Sequence, residues 1–318
     1  MMKDMERYIW FILACFLAVG CSDENELKPS LADRDWFVIE DSEDPIGHER
    51  FLLYEKYGIP VFVNDTIGVE ERGVDYYENP VMYYCTLDIN YTVGAPVTDN
   101  GLQSRKYSLL ESSEDQLAGI SFLDNYLIPA LPENMYFNSI LLLDSLYEMR
   151  MTGWAVERKD INVYQGALTL AIGQVKSIAK MTPEEQNKHK GLILATLALK
   201  QLDEEQLSDF YMVSYDPVKK FSYYQQMVTP SPSAAMPSAK CEVYGFLDYD
   251  SRYYAMNEGK DPSQWIYYTL TRANDLEDFV LAYFQYSEKE FKELYADYPL
   301  VLEKYEIIKT LMTDFGYM

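Results

Sequence analysis

The chain predicts an α+β fold: a small sheet plus helices, with a buried central helix and a helical C-terminal half. Three observations carry this. Helical and β-rich segments mix up to about residue 180, and helices dominate beyond it. Residues 182–202, TPEEQNKHKGLILATLALKQL, form one well-started helix whose second half is almost wholly apolar. With 318 residues, 48% hydrophobic and 15% aromatic, the chain has ample material for a sizeable core.

The central helix is the strongest single element. Thr182 is an N-cap, Pro183 takes the first helical position, and Glu185 completes a capping box. Residues 191–199 contain no charge, and a helix apolar all round is a buried helix. That run is far too short to cross a bilayer.

The remaining elements follow in order. Residues 47–57, GHERFLLYEKY, read as a helix with Phe51, Leu52, Tyr54 and Tyr57 toward the core, ended by Gly58. Residues 59–63 are a strand candidate closed by Asn64 and Asp65, residues 81–93 are β-rich, and residues 94–105 are turn and loop. Ser112 with Asp115 caps a helix over 114–127, with Leu117, Ile120, Leu123 and Tyr126 as its apolar stripe and Pro129 and Pro132 as its breakers. Residues 137–146 hold the apolar run 140–143, a buried strand. Residues 161–172 give two short strands, or one bent at Gly166. After the central helix, residues 203–209 suggest a short helix and the Pro- and Ser-rich residues 211–242 a long loop. Residues 244–253 fit no element. A helix over 275–286, a second capped by Ser287 and Glu290, and a last one from Pro299 to near Phe315 complete the chain.

The N-terminus reads as a targeting segment. Lys3 and Arg7 precede an apolar run over 8–19, and Leu17-Ala18-Val19-Gly20-Cys21 has the form of a lipobox. The expected organisation is a lipoprotein signal peptide over 1–20, lipidation at Cys21, an acidic tether over 21–34 and one domain over 35–318. An ordinary secretory signal cut near Gly20 is the alternative. The stretch Ser-Asp-Glu-Asn-Glu after Cys21 resembles the surface-export signal of some Gram-negative lipoproteins. This implies a lipid-anchored protein at the outer membrane, exposed on the cell surface, with its folded part in water.

The net charge of −24 repels phosphate backbones, so nucleic acid is excluded as a partner. Beyond Cys15 and Cys21 only Cys85 and Cys241 remain; they could form one disulfide or stay as two buried thiols. With two histidines, His48 and His189, no metal-ligand spacing appears. Both histidines are expected on the surface. There is no HExxH, P-loop, GxGxxG or GxSxG. Asp248 with Asp250 and Glu277 with Asp278 are acid pairs that could hold a metal ion, though such pairs are usually solvated surface. The 29 tyrosines cluster in places. Tyr244, Tyr253, Tyr254 and Trp265 could contact a glycan or peptide, against the plainer reading of core packing.

Several stretches, in order, resemble the HExxH zinc metallohydrolase lipoproteins (the putative zinc-binding metallopeptidases) found beside TonB-linked import systems. They are the lipobox, the Trp36-bearing start, FLLYEKYGIPVFV, NSILLLDSL, INVYQGALTLAIGQ, residues 182–202 at the active-site helix, LEDFVLAYFQYS and the C-terminal LVLEKYEIIKTLMTDFGYM. The resemblance implies a zincin-like metallopeptidase fold. A zincin needs two His at i and i+4 with a Glu base after the first. Here Ile193 and Leu197 stand at the ligand positions, Leu194 at the base, and Leu281 where the third ligand, a Glu, belongs. In a second register His189 is the first ligand, Lys190 replaces the base and Ile193 the second ligand. Neither register yields a working site. The resemblance therefore implies a pseudoenzyme, with no catalytic residue and no zinc, serving substrate import as an accessory or binding protein. An unrelated glycan- or peptide-binding lipoprotein, or a hydrolase with an unrecognised carboxylate site, are the alternatives.

Overall fold

The computed structural model describes residues 34–90, 105–135, 137–152, 155–228, 240–250, 258–260 and 267–317. Cys21, Tyr253, Tyr254 and Trp265 lie outside them, as do the whole signal segment and nearly all of the tether. The described chain is α+β, with eight α-helices and several small sheets. The described residues fall into two compact units, one comprising residues 34–36 with Gly68–Cys85, the other Phe37–Ile67 with the described residues from Thr86 onward.

The larger unit begins with α1 (Pro45–Tyr57). Asp44 caps it by accepting from the Gly47 amide, and Gly58 closes it at φ 69°, a conformation only glycine adopts freely. Leu53 is the buried residue of this helix, whereas Leu52 is exposed, which corrects the expected core face. Strand β1 (Val61–Phe62) then pairs in parallel with β5 (Ser139–Thr152). β2 (Thr66–Val74) and β3 (Pro80–Thr86), most of whose residues belong to the smaller unit, pair as a two-stranded sheet of their own. β4 (Lys106–Leu109) joins β5 antiparallel. α2 (Ser113–Phe122) runs on through a π turn at Leu123–Leu127 and a 3-10 turn at Ile128–Ala130, where Pro129 ends the helix.

β5 is the spine of the six-stranded sheet. Its first half lies between β1 and β8 (Thr169–Ile172), both parallel to it, and its second half pairs antiparallel with β4 and β6 (Ala155–Asp160). β7 (Val163–Gln165) borders β8, and Gly166 separates the two strands. Side chains alternate across a strand, so the unbroken apolar run 140–143 must be buried on both faces. Ile140 and Leu142 enter one core with Val61, Leu170 and Ile172, while Leu141 and Leu143 enter another with Phe62 and Ala171.

The first core is where the helices lie. After α3 (Val175–Ile178) comes the central helix α4 (Pro183–Leu199). Its capping box is complete: the Glu185 amide donates to Thr182 Oγ1 at 3.3 Å, and the Thr182 amide donates to Glu185 Oε2 at 2.8 Å. α5 (Ser208–Val213) starts five residues later than expected, behind a turn at 204–207. The expected loop over 211–242 instead carries β9 (Tyr215–Asp216) and β10 (Phe221–Ser222), paired with each other, and β11 (Met227–Val228), paired with β12 (Tyr267–Tyr268). A tight turn brings β9 and β10 together, whereas β11 and β12 meet from about forty residues apart; backbone pairing builds both without any apolar periodicity. α6 (Arg272–Gln285), α7 (Glu288–Leu294) and α8 (Pro299–Asp314) close the fold. α6 starts three residues before the expected position because Thr271, accepting from the Asn274 amide, is its cap.

α4 packs closely along α6. A Cβ on Gly191 would come within 2.9 Å of the Phe284 carbonyl oxygen, a backbone atom that cannot move aside. Alanine gains about 1 kcal/mol of helix propensity over glycine, but overpacking costs about 1–3 kcal/mol. Gly191→Ala is therefore expected to lower the thermal midpoint. A raised midpoint would mean that the two helices approach less closely.

Candidate functional site

The polar N-terminal turns of α4 face water and its later turns enter the core. Ile193, Leu194 and Leu197 are buried, and Leu281 on α6 is half-buried against the same core. None of the four carries a donor atom, so these positions do not fit a zinc ion. His189 is not a surface residue, contrary to expectation: it is 8% exposed, packs beside Phe122, and its Nε2 has no partner among the described residues. Burial lowers its pKa, so it is neutral at pH 7. The sequence placed it on the polar half, between Lys188 and Lys190, but it opens the face that α2 covers. His48 is exposed as expected, with Nδ1 2.7 Å from Asp41 Oδ1.

Beside α4 lies a cleft of about 280 Å³. Lys190 and Leu194 contribute from α4, Tyr283 from α6, Tyr286 from its C-cap, and Tyr305 and Lys309 from α8. Both residues that the two registers place at the base position, Leu194 and Lys190, thus line one cleft. Tyr305 is 2% exposed and stacks on Phe291, with ring centroids 4.1 Å apart. Tyr286 is 42% exposed, with its ring centroid 6.3 Å from that of Phe291. Glu288 also lines the cleft; Lys292 at 2.6 Å and Lys309 at 2.7 Å hold its carboxyl down at about 2. A larger cavity, about 450 Å³, opens between α1 and α2, lined by Leu52, Leu53, Lys56, Leu117, Ile120 and Asp124. Within its lining Lys56 and Asp124 form an ion pair of 2.7 Å.

A second polar cluster lies deep under α6 and α8. Asp275 and Lys304 are both fully buried, with Nζ 2.6 Å from Oδ2. The Tyr224 hydroxyl donates to the same oxygen at 2.6 Å, and the rings of Phe210, Tyr224, Phe246 and Phe279 surround the ammonium at 4.5–5.5 Å. With no exposure at either charge, this pair is a structural element. The sequence offered no sign of it: Asp275 reads as a helix start and Lys304 as one surface lysine among several.

Of the acid pairs, Asp248 and Glu277 are exposed and Asp250 is buried. Burial, then the charges of Asp275, Asp248 and Glu277, push the Asp278 carboxyl up to about 7. An acid whose folded pKa is raised contributes stability that is full below its unfolded value near 3.8 and lost as pH rises through about 7. Asp278→Asn is therefore expected to raise the urea midpoint at pH 8 and leave it unchanged at pH 4. An equal gain at both pH values would show that the carboxylate is not strained.

No group of three or more His, Cys, Asp or Glu among the described residues could hold a metal ion. Cys85 and Cys241 are free thiols, Cys85 half-buried and Cys241 buried. Tyr244 packs against Tyr223 with centroids 4.7 Å apart, in a small core with Tyr224 and Phe246. Among the described residues, no helix is long and apolar enough to cross a membrane. Comparison with known proteins finds no matching family model, no matching curated protein and no matching solved structure.

Proposed function

We propose that this protein is a lipoprotein anchored at the outer membrane through Cys21, with a zincin-like fold that has lost zinc and hydrolysis, serving a nutrient-import system as a non-catalytic binding protein. One observation carries the reading: Ile193, Leu194 and Leu197 on α4, with Leu281 on α6, belong to one apolar core beside a tyrosine-lined cleft. Unpaired donors buried at those positions would cost several kcal/mol, on the order of 2–7 per group; aliphatic side chains remove that cost and leave the cleft beside them available for binding.

Mass spectrometry and metal analysis of the full-length protein, purified from membranes, test this together. A diacylglyceryl group on Cys21 and no stoichiometric zinc are expected. One equivalent of tightly held zinc would overturn the non-catalytic reading, and an unmodified thiol at residue 21 the anchored one.

A further inference from the structure

We propose that the cleft between α4, α6 and α8 binds an acidic sugar unit, its carboxylate on Lys190 and its ring against Tyr286. The proposal rests on the binding reading above for its biological setting, and on the following chemistry for its ligand. Lys292, Lys309, Glu288 and Glu306 form a closed quartet: Lys292 lies 2.6 Å from both acids, and Lys309 lies 2.7 Å from Glu288 and 3.9 Å from Glu306. Two positive and two negative charges cancel there. Lys190 is the charge left over. It is half-buried, it makes no hydrogen bond or ion pair with any described residue, and its ammonium is destabilised by burial alone. In a chain of net charge −24, an uncompensated and partly desolvated cation in a cleft is a place for an anion from outside.

The rest of the lining says which anion. Tyr286 is the most exposed aromatic side chain of the lining, and an aromatic ring with a polar edge suits the C–H surface and hydroxyls of a sugar. Glu288 is held ionised by its two lysines, so it accepts hydrogen bonds while Lys190 donates them. A hydroxylated ring can use Lys190 as donor and the remaining lone pairs of Glu288 as acceptor, whereas an aromatic or aliphatic acid uses the donor alone. At about 280 Å³ the cleft falls just under the usual range of about 300–1,000 Å³ for whole small molecules. It fits one ring, with the rest of an oligosaccharide outside. The net charge also repels polyanions in general, so binding of an acidic glycan reports a site and not adsorption.

Titration calorimetry on the full-length protein in detergent, with trigalacturonic acid against neutral galactotriose, tests the proposal. The acidic trisaccharide is expected to bind with Kd below about 1 mM and at least about tenfold more tightly than the neutral one. Lys190→Met, which keeps most of the unbranched stem and removes the ammonium, should remove that preference; Tyr286→Ala, at an exposed position, should weaken both sugars. Equal binding of the two sugars, no binding, or binding unchanged in both variants overturns the proposal. A peptide with a free C-terminal carboxylate that binds more tightly than the acid sugar, in a Lys190-dependent way, overturns the sugar assignment. Zinc in the purified protein would defeat the non-catalytic reading and leave the sugar result standing, so the two can fail separately.

Discussion

Replacing Lys304 by Met, or Asp275 by Asn, is expected to cost about 3–5 kcal/mol of folding stability, because either change leaves an uncompensated charge in a dry interior. Lys304 and Asp275 have no exposed side-chain surface, and Asp275 Oδ1 has no hydrogen-bond partner among the described residues. Burial pushes the carboxyl up and the ammonium down, which measures how costly each charge would be alone. Four aromatic rings around Nζ and the Tyr224 hydroxyl on Oδ2 offset part of that cost while both charges are present. The double replacement Asp275→Leu with Lys304→Met is expected to be less harmful than the worse single one, since it removes both charges and keeps apolar volume. Urea unfolding with an unchanged slope reads all three. A Lys304→Met cost under about 1 kcal/mol would show that the pair does not tie α6 to α8.

That pair marks the limit of what the sequence discloses. The central helix was legible because its start uses side-chain caps, Thr182 with Glu185, that leave a local pattern. Ser287 with Glu290 repeats the device and was equally legible. β5 was legible because a strand buried on both faces reads as a continuous apolar run, Ile140 to Leu143. β2, β4 and β6 left no such trace: residues such as Glu71 and Arg72, or Glu157 and Arg158, face water, and pairing to a neighbour holds these strands, not burial. The cleft was half legible. Its α4 side is readable from the sequence, since Lys190 and Leu194 stand at the base position in the two registers of the helix. Tyr286, Tyr305 and Lys309 come from more than ninety residues further along the chain, and no local signal announces where packing brings them. The burial of His189 was missed for a similar reason: its flanking lysines look like surface, but α2 lies over its face of the helix.

Ile193→His and Leu197→His are each expected to destabilise the protein by about 2–5 kcal/mol, through lost apolar burial and an imidazole without a partner. Ile193 is fully buried and Leu197 is 1% exposed, so neither new ring reaches water. Combined with Leu281→Glu they separate ancestry from coincidence. If residues 182–202 are the remnant of a zincin helix, the two imidazoles sit one turn apart on one face, and a glutamate from α6 supplies the third donor. Zinc should then bind the folded triple variant alone and return stability by mass action, about 2.7 kcal/mol when its concentration is one hundred times the dissociation constant. The wild-type protein should gain nothing at the same zinc concentration. A triple variant that stays destabilised in zinc means that the side chains at 193, 197 and 281 do not converge on one point. The apolar stretch of α4 is then a core helix with no metal site in its past, and the family resemblance loses its main support. The Lys190 cleft does not depend on that outcome, because its unbalanced cation and its exposed tyrosine are properties of the fold and not of its history.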